Sequence, residues 1–225
     1  MIYKLYKGAY LIAEAGVNHN GRFALAKKLI EKAASCKANA IKFQIFNADD
    51  LSLKNARMAN YQIKNLKTNI SQHKMLKSLE LKKEDYIKLK RIAHQNKIDF
   101  LVSVFDEKSL DYFEKYIKSK IIKIPSGEIT NYFLLKKLNL KKYKVILSTG
   151  MSNLAEIKDA LNIISKKEVF EIKNNNVYIK NKKKYLYIKD KIFLLHCVSD
   201  YPAKEKYLNL NCIETLRDQF KLVIG

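Results

Sequence analysis

At 225 residues, 48% of them hydrophobic, the chain is long enough for one large domain or two small ones and apolar enough to build a core, which excludes disorder. No run approaches the roughly 20 apolar residues that span a bilayer, and the start, MIYKLYKGAYLIAEAG, lacks a signal-peptide cleavage pattern, so a cytoplasmic protein with no membrane partner is expected. The formal net charge of +22 raises nucleic acid as a partner, yet only four of the 44 basic residues are Arg, the side chain whose planar fork reads phosphates and bases; the Lys excess reads as a solvated surface, and no nucleic-acid partner is expected.

The first apolar run, AYLIAEAG (9–16), ends in Glu14 and GVNHNG and is followed by a helical period over 23–37. The second, AIKFQIF (40–46), carries Lys42 and Gln44, two apart and therefore on one face. Residues 47–82 form a long connection expected to cover a substrate. After a helix over 83–96, the third run DFLVSVF (99–105) offers Ser103, the fourth, IIKIPSG (121–127), offers Lys123 and Ser126 just before Glu128, and the fifth, KVILSTG (144–150), offers Ser148 and Thr149. A helix over 153–167 leads to 169–190, whose alternation around Asn174 to Asn176 reads as a β-hairpin on the N-terminal side of the sixth run; it is assigned no function. The sixth run, IFLLHCVS (192–199), brings His196 and Ser199 with Tyr201 just beyond, and KLVIG (221–225) is a seventh.

Apolar strands alternating with helices mean an α/β fold with a covered parallel sheet. There is no G-x-G-x-x-G after the first strand, and polar residues stand at the C-terminal end of nearly every strand. Both favour a (β/α)8 TIM barrel, here incomplete at about its first seven strands, with the hairpin inserted before strand six.

A lysine on a barrel-facing strand is costly unless paired. Lys42 and Lys123 therefore read equally as structural partners of Glu14 or Glu128 and as anion binders. Ser126 with Gly127, and Ser148 with Gly150, put hydroxyls and N–H groups just before helices, where phosphate or carboxylate is stabilised, although such turns are usually caps. His19 reads as a brace of its turn and His196 as a hydrogen-bonded core residue, so neither is assigned as a metal ligand. The thiols of Cys36, Cys197 and Cys212 form no CxxC pair and read as reduced.

Taken in order, IAEAGVNHNG, IKFQIF, KIPSGEITN, VILSTGM and LLHCVSDYP resemble the N-acetylneuraminate (sialic acid) synthase family over nearly the whole chain apart from the hairpin. The Tyr61-Gln62 loop and SQHKMLKSLEL resemble its sialic and legionaminic branch. The resemblance implies that residues 1–225 are a truncated N-terminal barrel domain, with the C-terminal antifreeze-like domain of the family absent from the chain. It implies a transferase of cell-surface polysaccharide biosynthesis that condenses phosphoenolpyruvate with an N-acetylated amino sugar, N-acetylmannosamine or a 2,4-diacetamido-trideoxy hexose, to a nonulosonic acid plus phosphate.

Carried over by motif, Lys42, Lys123, Ser126, Ser148, Ser199 and Tyr201 would surround phosphoenolpyruvate with Ser103 nearby, while Glu14, Gln44 and Glu128 would face the metal-bound water or the sugar. From the strand-end pattern, the side chains of Glu14, Lys42, Lys123, Ser126 and Ser148 are expected to converge on one cavity at the C-terminal face. A divalent metal, Mn2+ or Mg2+, and a homodimer are implied for the full-length protein, whose metal ligands would lie beyond Gly225; residues 1–225 alone are then expected to be inactive. The rival readings are a Schiff-base pyruvate aldolase using Lys123 and a catalytically silent barrel fragment.

Overall fold

The computed structural model describes residues 8–58, 63, 70–200 and 202–225. It divides into two compact units, Met1–Ser119 and Lys120–Gly225. In the first, β1 (Ile12–Gly16), α1 (Phe23–Ser35), β2 (Ala40–Ile45), the short α2 (Ala48–Leu51), α3 (Gln72–Leu79), α4 (Lys83–Gln95) and β3 (Asp99–Val104) lead to α5 (Glu107–Tyr112), which runs into a π-helical turn, Phe113–Ile117. The strands are parallel in the order β1-β2-β3. Strand β2 is buried through Ala40, Ile41, Lys42, Phe43 and Ile45 because helices cover the sheet, which is why its apolar run is nearly continuous. Helix α1 buries Ala26, Ile30 and Ala33 and packs on α4, which buries Tyr86, Leu89 and Ala93 at the same helical spacing. The connection over 47–82 is not simply loop, since it holds α2 and α3 with side-chain caps from Asn47 and Ser71. Tyr61 and Gln62 lie outside the described residues.

The second unit begins with β4 (Ile121–Ile124), a 3-10 turn at Ser126–Glu128, α6 (Tyr132–Lys137), β5 (Lys144–Ser148) and α7 (Leu154–Ser165). It continues through β6 (Phe170–Lys173), β7 (Asn176–Ile179), α8 (Lys182–Ile188), β8 (Ile192–Leu195), a 3-10 turn at Glu205–Tyr207, α9 (Asn211–Phe220) and β9 (Val223–Ile224). Strands β4, β5, β8 and β9 form a parallel sheet in that order, and β6-β7 a separate antiparallel hairpin. Helix α7 starts with a capping box, Asn153 and Glu156 each accepting the other's backbone N–H.

The hairpin turns at Asn174 and Asn175, both with positive φ, a conformation asparagine tolerates. It ends at Ile179, and Lys182–Ile188 is a helix where the alternating pattern predicts strand. Asn181 caps that helix and Ile188 anchors it in the core, so burial at one end overrides a period-two run of tyrosines. Two amide side chains seat the insertion. Asn162 on α7 accepts the N–H groups of Val169 and Phe170 and donates to the Phe170 carbonyl, and Gln219 on α9 accepts from Val177. Phe170 lies edge-on to Phe220 and Tyr185.

Candidate active site

In the first unit the register sets Glu14 opposite Lys42 and Gln44 opposite Ser103 at the C-terminal ends of β1, β2 and β3. The Lys42 ammonium pairs with the Glu14 carboxylate and donates to Ser103 Oγ at 3.2 Å. The pair is lopsided: the Lys42 side chain is 8% exposed and that of Glu14 51%. Lys42 is thus a buried cation whose anion faces outward, and of the two open readings the structural pair with Glu14 is realised without removing the other. An anion arriving over Ser103 would still meet a cation that little water reaches. Ser103 is buried, and Gln44 is half-buried with its backbone carbonyl accepting from Tyr86 Oη at 2.7 Å. Burial pushes the Tyr86 phenol far above its ordinary value, so it acts only as a neutral donor.

In the second unit the strand ends build a compact cradle. The Gly150 N–H, at the turn after β5, donates to Ser126 Oγ at 2.9 Å, so Ser126 closes across to the fifth strand instead of capping its own turn. A Cβ on Gly150 would lie 2.9 Å from Ser126 Oγ, 3.0 Å from the Cys197 carbonyl and 3.2 Å from Ser199 Oγ, so only glycine lets these groups meet. Ser148, two residues before Gly150, is buried and accepts from the Cys197 thiol at 3.2 Å, while Thr149 donates to the Leu195 carbonyl. Lys123 on β4 is half-buried, as is Glu128, which accepts from Asn131 Nδ2 at 2.8 Å. Ser199 is exposed, and Tyr201 lies outside the described residues.

His19 and His196 are both hydrogen-bonded, but His196 is not in the core. His196 is half-buried with Nε2 2.6 Å from the Leu208 carbonyl. His19 is buried in the turn after β1, and burial pushes its imidazole below the ordinary value. Sequence reasoning passed over Tyr86, Asn131 and Cys197, each of which orients a candidate residue. Asn131 and Cys197 stand inside the strings KIPSGEITN and LLHCVSDYP, whereas Tyr86 has no local signal; the partners are long-range or across a turn. Equally silent was the cluster at α2 and α3, where Asp49 binds His73 at 2.8 Å and Lys77 at 3.0 Å, holding its carboxyl below the usual range, and Glu80 accepts the Ala48 N–H at 2.6 Å.

The NeuB family model matches residues 29–225. The chain belongs to the NeuB family. Over 216 residues it is 40% identical to an N,N'-diacetyllegionaminic acid synthase of Legionella pneumophila, covering 96% of the chain and 56% of that protein. Over 219 residues it is 42% identical to an N,N'-diacetyllegionaminic acid synthase of Campylobacter jejuni, covering 97% of the chain and 60% of that protein. It is also similar, at 33% identity and a TM-score of 0.73, to the crystal structure of N-acetylneuraminic acid (sialic acid) synthetase from Leptospira borgpetersenii in complex with citrate, covering 97% of the chain and 64% of that one. The chain thus spans little more than half the length of the curated relatives. Among the described residues of this NeuB-family chain, no three His, Cys, Asp or Glu gather as a group able to hold a metal ion. No helix is long and apolar enough to cross a membrane among the described residues.

Proposed function

We propose that the protein is a phosphoenolpyruvate-dependent transferase that makes a nonulosonic acid of the sialic or legionaminic type, and that this chain supplies the greater part of its (β/α)8 barrel. Phosphoenolpyruvate and an N-acetylated amino sugar are the substrates. The observation that carries the reading is the cradle around Gly150, where Ser126, Ser199 and the Gly150 N–H crowd together, with Ser148 two residues earlier on β5 beside the lysine-bearing strand β4. Hydroxyls and a backbone amide with an ammonium on the neighbouring strand are the donor set that a phosphate or carboxylate needs.

In this reading the enol carbon of phosphoenolpyruvate attacks the aldehyde of the open-chain sugar, forming the new carbon–carbon bond. Water adds to the adjoining cationic carbon, and phosphate leaves with its bridging oxygen. Lys123, Ser126, Ser148 and Ser199, with Tyr201, hold the phosphate and carboxylate, and the buried Lys42 with Ser103 offers a positive charge whose effect strengthens as water is excluded. Glu14, half-exposed at the end of β1, positions the water or takes its proton. Glu128, oriented by Asn131, and Gln44, whose strand end is held by Tyr86, face the sugar. The divalent metal that the family resemblance implies finds no three-donor set among the described residues, and no step is assigned to it.

The test is incubation of the full-length gene product with phosphoenolpyruvate, a divalent metal and either N-acetylmannosamine or 2,4-diacetamido-2,4,6-trideoxymannose, with product masses and released phosphate measured. One phosphate per nonulosonic acid supports the reading. Borohydride trapping of a pyruvate adduct on Lys123 would replace it with the Schiff-base aldolase.

A further inference from the structure

We infer that His19 is a positioning residue for the catalytic carboxylate of Glu14, acting through the turn that joins β1 to α1. Strands β1 and β2 run in register as far as Glu14 opposite Lys42, and then the register shifts so that Gly16 faces Phe43. A bulge at a strand end re-aims the side chains beside it. Gly16 sits at φ +51, and a Cβ there would meet Glu14 Oε1 at 3.4 Å and Gln44 Nε2 at 3.8 Å, ordinary contact distances, so both side chains lie beside its backbone. Whatever holds Gly16 therefore aims Glu14.

The hold comes from the next five residues. Backbone bonds run from the Asn18 N–H to the Ala15 carbonyl, from Asn20 to Val17 and from Arg22 to His19, each at 2.9 Å. Two consecutive residues, Asn20 and Gly21, are left-handed at φ 48 and 68, which hydrogen bonding must keep in place. His19 Nδ1 accepts the Gly21 N–H at 3.1 Å. Its ring, 1% exposed, stacks at 5.9 Å on Phe43, which points to the face of β2 opposite Lys42 and Gln44 and itself stacks on Phe100 at 5.5 Å. On its other side the turn is wedged: a Cβ on Gly21 would lie 2.6 Å from the Ser78 carbonyl at the end of α3.

Stacking alone does not call for a histidine, since a phenyl ring would fill the same place. With Nδ1 accepting from Gly21, the ring proton lies on Nε2, which has no hydrogen-bond partner among the described residues, while the Gly16 backbone beside the ring favours its charged form more weakly than burial opposes it. Burial favours the neutral ring, which keeps that nitrogen an acceptor.

The inference rests on the proposed role of Glu14, and its test separates the two. In the full-length protein, His19→Phe keeps the stacked ring and removes the acceptor, whereas His19→Asn places an amide oxygen near the Nδ1 position. The readouts are kcat, the phosphoenolpyruvate dissociation constant, the unfolding midpoint, and amide exchange of Gly21 and Gly16. Expected for His19→Phe is a kcat lower by about tenfold or more, unchanged phosphoenolpyruvate affinity, a retained midpoint and faster exchange at Gly21, with His19→Asn recovering most of both kcat and protection. Wild-type kcat in His19→Phe overturns the inference. If that variant does not fold, His19→Asn decides: wild-type exchange at Gly21 with a kcat still reduced tenfold overturns it, and recovered kcat supports it. If the unaltered protein makes no nonulosonic acid, the proposed function fails, and unchanged Gly21 exchange in both variants would then refute the hold on the turn independently.

Discussion

Removing either partner of the Lys42–Glu14 pair should have unequal consequences, because one charge is buried and the other is not. Glu14→Ala leaves an ammonium whose side chain is 8% exposed, with Ser103 Oγ its remaining partner among the described residues. Stranding one charge of a fully buried pair costs about 3 to 5 kcal/mol. Here the space vacated by a half-exposed carboxylate admits water and Ser103 remains, so a loss of about 1 to 3 kcal/mol is expected. Lys42→Met removes the buried charge, keeps the apolar stem volume, and leaves a carboxylate already in contact with water, so its effect should stay within about 1 kcal/mol of zero. With an m-value of about 2 kcal/mol/M the first substitution lowers the urea midpoint by about 0.5 to 1.5 M and the second leaves it nearly unmoved. The chain contains no Trp, so far-UV circular dichroism is the appropriate signal. A Lys42→Met variant as unstable as Glu14→Ala, or more so, would refute the claim that Lys42 is kept for its charge and not for the fold.

Gly150→Ala should cost phosphoenolpyruvate affinity by about 1.5 to 3 kcal/mol, the worth of a hydrogen bond to a charged group, since its Cβ would stand 2.9 Å from Ser126 Oγ and 3.0 Å from the Cys197 carbonyl; calorimetric titration with wild-type affinity would contradict the cradle. Lys123→Ala should weaken the same titration by about 2 to 5 kcal/mol, and Lys123→Arg should restore only part of it, because a planar fork does not replace a compact ammonium; an unaffected Lys123→Ala would make the lysine peripheral. For His19 the sign runs one way. Its folded pKa lies below the ordinary 6.5, so between the two values the unfolded chain binds more protons and stability falls as pH falls through that window. Urea midpoints from pH 7.5 to 5 should therefore drop more steeply in the unaltered protein than in His19→Asn; parallel slopes would refute it.

The strands at Ala40–Ile45 and Asp99–Val104 were legible because a sheet covered by helices demands unbroken apolar runs, and the helices at Phe23–Ser35 and Leu154–Ser165 because one face must repeat every three to four residues. The strand ends read too long, for β4, β5 and β8 end at Ile124, Ser148 and Leu195, and Pro125, Ser126, Thr149 and His196 lie just past them. Lys182–Ile188 was misread because its tyrosines alternate while only Ile188 is anchored. Lys42, Ser103, Ser126 and Ser148 were legible as site candidates by their positions at strand ends. Which atoms they touch was not, since the Ser126–Gly150 and Lys42–Ser103 bonds join residues 24 and 61 apart in the chain. The burial of His19 on Phe43 is likewise a tertiary fact with no local signature.

The central claim, condensation with phosphate leaving by carbon–oxygen cleavage, is tested most directly by supplying the full-length protein with phosphoenolpyruvate labelled with 18O in the bridging position, together with the amino sugar. The account predicts that the label appears in the released phosphate, one phosphate for each nonulosonic acid formed. Label retained in the sugar acid, or product formed from pyruvate without phosphoenolpyruvate, would contradict it.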